Sequence, residues 1–147
     1  MTVFTSLHGR RLGLGPANGL ISNDVKVTVP CVDASITVGA EATNVRNIAI
    51  QLKDANGADI NYVQSVFLAV YADTGGAAFA TTGGSTGIAG GTDGATLAVV
   101  AKKLFLCTSE ADGDIDLTWT DTGTESVALA VIFPSGHQVY SEVFANS

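Results

Sequence analysis

The densest group of chemically capable side chains is the run Glu110-Ala111-Asp112-Gly113-Asp114-Ile115-Asp116. Hard cations are bound by several oxygens at once, and an acidic turn can supply them. Paired carboxylates are also what glycosidic hydrolysis requires. The spacing lacks the calcium-loop pattern with its closing bidentate Glu, and nothing around it marks a sugar cleft. Asp114 and Asp116 fall on one side of a pleated strand, which suits a face in water. Asp54, Asn56 and Asp59 surround a second turn in the same way. For both groups the reading is turn chemistry, because Asp and Asn side chains close turns on their own backbone; calcium is the alternative.

The remaining candidates are sparser. His8 and His137 are the two histidines, and neither stands beside a nucleophile and an orienting acid in a known local signature. Cys31 and Cys107 lie in apolar strand-like runs, where a free thiol behaves as a small buried hydrophobe. Two buried thiols are expected, a single bridge between neighbouring core strands being the alternative. GGSTGIAGGTDG has no Gly-Lys-Ser/Thr ending and no following helix, so it does not read as a phosphate cradle. Trp119 alternates with Ile115 and Leu117 and reads as core, with a sugar-stacking platform as the other possibility. No catalytic residue, metal or cofactor is expected. Outside the fold, Arg10-Arg11 is the functional candidate. The pair reads either as a solvated terminus or as an anchor that forks onto a partner's carboxylates while Phe4, Leu7, Leu12 and Leu14 fill apolar grooves.

The elements that position these residues are strands. Runs of Val, Ile, Thr, Phe and Leu are broken by Gly, Asn, Asp and Pro every ~8–12 residues, the rhythm of a sandwich or barrel. No window carries a capped helical stripe. Val25–Val29 and Arg46–Lys53 alternate cleanly; Ile36–Val38 is a short piece cut by Gly39. Asn56-Gly57 and Asp112-Gly113 are strong turn signals, the second predicting a hairpin between LFLCTS and IDLTWT. Val63–Tyr71 is more continuously apolar and reads as a central strand, and Val127–Phe133 reads as a buried strand. Residues 73–96 hold eight of the 17 glycines, a long excursion that is expected to be functional or mobile. Pro134-Ser135-Gly136-His137 turns the chain into a closing strand. The count from Val25 is about seven or eight strands, the tally of an antiparallel immunoglobulin-like β-sandwich. Residues 1–23, with four glycines, a proline and the Arg pair, read as an extended N-terminal arm, and residues 24–147 as the sandwich.

Composition narrows the function. The 147 residues fit one domain, with 46% hydrophobic and only 14% charged residues against the ~25% usual in soluble domains. So few charges suggest that a partner covers part of the surface. The net charge of −7 opposes binding to nucleic acid or to an anionic membrane surface. No apolar run is long enough for a spanning helix. The N-terminus, with its arginines after the apolar residues, is the reverse of a secretory signal, which points to folding in cytosol.

The order of NIAIQLKDANGADI, FLAVYAD, IAGGTDGA and LFLCTSEADGDIDLTWTDTGTESVALAVIFPSGH resembles immunoglobulin-like domains of tailed-bacteriophage virion proteins, over roughly residues 46–144. The opening TSLHGRRLGLGPANGLI is similar to the amino-terminal segment of phage head-associated proteins. The resemblance implies a virion structural protein, and first of all a capsid decoration or cement protein that bridges neighbouring subunits on the outside of the shell. Its implied partners are the major capsid protein and further copies of itself, as a dimer or trimer. The alternatives are a tail, neck or fibre component, or a carbohydrate- or receptor-binding module on the virion.

Overall fold

A computed structural model describes residues 3–5, 11–14, 20–22, 25–26 and 29–147. The chain divides into two units, Met1–Pro30 and Cys31–Ser147. In the first, β1 (Val3–Thr5), β2 (Arg11–Leu14), β3 (Leu20–Ser22) and β4 (Val25–Lys26) pair antiparallel in that order. The valine alternation after Asp24 therefore supplies the last strand of this unit and does not open the sandwich.

The second unit contains β5 (Cys31–Val38), β6 (Val45–Asp54), β7 (Ser65–Tyr71), β8 (Gly87–Gly90), β9 (Ala95–Val100), β10 (Leu104–Thr108), β11 (Asp114–Thr120), β12 (Ala128–Ile132) and β13 (Gln138–Tyr140). Nine strands stand where seven or eight were expected, and no described residue is helical. They form an all-β antiparallel sandwich of a four-stranded sheet, β5-β6-β11-β8, and a five-stranded sheet, β13-β12-β7-β10-β9. These orders follow the A-B-E-D and G-F-C arrangement of immunoglobulin domains. The β9–β10 hairpin is an insertion before the E-position strand β11 and widens the second sheet beyond β7.

Period-two patterning explains most of this. Along β11 the side chains of Ile115, Leu117 and Trp119 are buried, and those between them face outward. Ile50 and Ile48 of β6 stand opposite Ile115 and Leu117 in the ladder, with Leu52 buried beyond them on the same side. From the other sheet Leu68, Val70, Phe105, Leu129 and Val131 complete the core. Trp119 is fully buried, with the ring of Phe144 edge-on at 5.1 Å. Burying one such aliphatic or aromatic side chain contributes about 1.5–3 kcal/mol before entropy is counted.

Two local expectations yield to tertiary pairing. β5 runs eight residues, well beyond Ile36–Val38. Full-length pairing with β6, with a register shift between Cys31 and Asp33, carries the polar stretch into the ladder. The Asp112-Gly113 turn forms, with Gly113 at φ 86° and its N–H bonded to the Glu110 carbonyl at 3.1 Å. It does not join a hairpin, because β10 and β11 lie in opposite sheets. The turn is captured by β6: Leu52 N–H donates to the Gly113 carbonyl at 2.9 Å, and Gln51 Nε2 to the Asp112 carbonyl at 2.9 Å. The Asn56-Gly57 turn is the hairpin-like one, since Asp54 N–H donates to Ala58 and Ile60 N–H to Leu52.

Candidate functional site

The carboxylates are dispersed by the fold. Asp114 and Asp116 lie on the outward face of β11, Asp112 is in the turn, and Glu110 Oε1 accepts from Gly94 N–H at 3.3 Å. Burial, and then the charges of Asp116, Asp112 and Asp93, push the Asp114 carboxyl above its ordinary value. Asp54 Oδ1 accepts from Asn56 and Ala58 N–H at 2.8 and 3.0 Å, which is turn chemistry. Among the described residues no three His, Cys, Asp or Glu side chains are placed to share a metal ion. Cys31 is half-buried and Cys107 fully buried, both as free thiols. Desolvation raises the Cys107 pKa to about 11, which makes it a poor nucleophile at neutral pH. His137 stacks on Phe133 at 6.0 Å in its turn, and His8 lies outside the described residues.

The Gly-rich excursion is tied down at its centre. Glu125 accepts hydrogen bonds from the N–H groups of Thr81, Thr82 and Gly83 and from the Thr82 hydroxyl. Burial opposes its ionisation, but those bonds outweigh it and hold the carboxyl below its ordinary value. Trp119 Nε1 donates to the Gly83 carbonyl at 3.2 Å, and Lys102 Nζ to the Ser85 carbonyl at 2.6 Å. A Cβ on Gly83, at φ 71°, would stand 2.2 Å from the Lys102 carbonyl oxygen, so glycine is required by close packing there. The buried Trp119 cannot act as a sugar-stacking platform; the core reading of that residue holds.

Two outward sheet faces remain. On the four-stranded sheet a concavity of about 340 Å³ is lined by Thr37, Asn47, Ala49, Thr92, Asp116 and Thr118, among others. It is open to the surface and mixed in character, with small side chains in register across the strands: Thr37 opposite Ala49, and Ala49 opposite Asp116.

The five-stranded sheet is different. Its five strands contain no Asp, Glu, Lys, Arg or His. Leu97, Leu106, Phe67 and Ile132 stand side by side in register across β9, β10, β7 and β12. Leu97 is 64% exposed and Phe67 42%, with Val99 and Val100 at 52% and 46% beside them. The next row runs from Leu104 through the fully buried Ala69 and Ala130 to Tyr140, so the exposed patch is the Leu97–Ile132 row and the end of β9. Singly scattered surface hydrophobes need no explanation, but a contiguous, charge-free patch marks a contact surface. Val63–Tyr71 reads in sequence as a central strand and Val127–Phe133 as a buried one: β7 is central in its sheet and Ala128–Val131 of β12 are buried, while Phe67 and Ile132 stay partly open.

Of the predicted anchor residues, Phe4 lies on β1 and Arg11, Leu12 and Leu14 on β2, with Phe4 opposite Leu12 in the backbone register. Leu7 and Arg10 lie outside the described residues.

No protein-family model matches the sequence, and neither a curated protein nor a solved structure matches the chain.

Proposed function

We propose that the chain is a structural protein of a tailed-phage virion, a decoration protein bound to the outer capsid surface, and that it acts by binding and not by catalysis. The observation that carries this reading is the uncharged, apolar outer face of the five-stranded sheet in a chain of net charge −7. Such a face is built for protein contact: it has no charge to desolvate, and each exposed Leu or Phe it covers contributes at ~25 cal/mol per Å². The resemblance of residues 46–144 to virion domains supplies the setting.

In this reading Phe4, Leu7, Leu12 and Leu14 seat in grooves of the major capsid protein, and Arg10 and Arg11 fork onto its carboxylates. The sandwich contributes contacts between copies, so that weak contacts repeated over a shell add as avidity. The acidic sandwich has no attraction to packaged DNA, consistent with an exterior position.

The test is co-sedimentation of the full chain with undecorated capsids, beside its R10A/R11A variant. Saturable pelleting of the parent, weakened about tenfold or more in the variant, is the expected result. A parent that stays in the supernatant overturns the reading. A receptor-binding module is the second reading, favoured by the concavity around Thr37, Asn47 and Asp116. It predicts pelleting with host cells or surface polysaccharide in the absence of capsids.

A further inference from the structure

We infer that two copies of this chain associate edge to edge through β9, in antiparallel register about Leu97, and join their five-stranded sheets into one ten-stranded sheet. The inference rests on reading the uncharged sheet as a contact between copies and is independent of the capsid assignment.

The four sheet edges of the sandwich differ in how they are protected. β13 is three residues long and β8 four. β5 carries the exposed Asp33 and a register shift beside it. β9 is six residues long and, among the described residues, is paired on one side only, by β10. Its sequence Ala95-Thr96-Leu97-Ala98-Val99-Val100 contains no charge and no proline, two of the devices that normally keep an edge from pairing. The ladder with β10 is regular from Ala95 to Ala98 and shifts only beyond it, so an uninterrupted stretch centred on Thr96 and Leu97 is open to a partner.

Charge selects a second copy as that partner. Two chains of net charge −7 repel wherever their acids face each other. The outward side of the four-stranded sheet carries Asp33, Asp114 and Asp116, whereas the five-stranded sheet carries no carboxylate, Lys, Arg or His on any strand. It is the sheet whose edge like chains can share without that cost. An isologous pairing of one edge with itself also closes at two copies, since the other three edges differ from it.

Backbone hydrogen bonds along the open edge carry a contact of this kind, and Leu97, Val99 and Val100 of the two β9 strands meet beside them.

Sedimentation velocity of the full chain from about 1 to 100 µM tests this. The expected result is a reversible shift from monomer to dimer that L97K abolishes and that T37K, on the other sheet, leaves unchanged. Circular dichroism and melting of L97K separate lost association from lost folding. Independently, L97C in a C31S background is expected to give a disulfide-linked dimer on mild oxidation. A parent that is monomeric throughout, a cyclic trimer, or a dimer that survives L97K and does not cross-link through the thiol introduced by L97C overturns the inference.

Discussion

Down the outward side of β11, Asp114, Asp116, Thr118 and Thr120 alternate with a buried Ile, Leu and Trp. Down β7, Phe67 and Ala69 take the same outward positions between the buried Val66, Leu68 and Val70. Both strands are central in their sheets and both feed one core, yet one presents hydroxyls and carboxylates and the other presents hydrocarbon. Folding requires only the inward half of each pattern. The outward half is free to answer to what the surface must touch, so the contrast separates a polar, charged side of the sandwich from an uncharged, apolar one.

The shared interior is where the largest effect is expected. Trp119→Ala removes a fully buried ring that packs on Phe144 and hydrogen-bonds to the Gly83 carbonyl. It is expected to lower stability by about 3–5 kcal/mol in urea unfolding, in a single transition that takes both sheets together. Two separate transitions would show that the sheets do not share one cooperative core.

A matched pair of substitutions tests the outward faces. Ala49 and Ala69 are both outward alanines on central strands, one exposed and one fully buried. Ala69→Lys forces a cation into the uncharged sheet and is expected to cost about 2–3 kcal/mol. Ala49→Lys places the same side chain opposite Asp116 and is expected to change stability by no more than ~0.5 kcal/mol. Equal costs would remove the distinction between the two faces.

Smaller effects follow from the two shifted carboxyls, with opposite signs. Glu125 is held below its ordinary pKa, so its contribution is fully present above the usual carboxylate range and is lost as pH falls through its folded value. Glu125→Gln is expected to cost about 1 kcal/mol at pH 7 and to flatten the acid limb of the stability curve. Asp114 is held above its ordinary value, so the folded state keeps its proton to higher pH and loses stability as pH rises through that interval. Asp114→Asn is expected to raise stability at pH 7 by a few tenths of a kcal/mol, about the scale of a surface substitution.

The sandwich was legible because its inward positions repeat with period two: Ile48, Ile50 and Leu52 in one strand, Ile115, Leu117 and Trp119 in another. Turn chemistry at Asn56-Gly57 and at Ser135-Gly136 was equally local and equally readable. What the residues could not convey is which sheet a strand joins. The Asp112-Gly113 turn reverses the chain, but its hydrogen bonds to Leu52 and Gln51 of β6, distant in sequence, send β11 to the opposite sheet. The exposed apolar row escaped for a related reason. Phe67 and Leu106 look like core residues in sequence, and only the absence of a third layer over them in this unit reveals an outward face. Arg46 shows the same limit from the polar side. It starts an alternating strand, yet its guanidinium donates to Gly39 O, Ala145 O and Asn146 Oδ1, a network spanning the described chain.

The most direct test of the central claim is the pelleting of undecorated capsids with the full chain and with its Phe67→Glu variant, which places a charge in the middle of the uncharged row. Saturable pelleting of the parent, with the variant folded but bound at least about tenfold more weakly through lost avidity, is the result expected here. A parent that does not pellet, or a variant that pellets as tightly as the parent, would contradict the assignment of that sheet as a working surface of a virion protein.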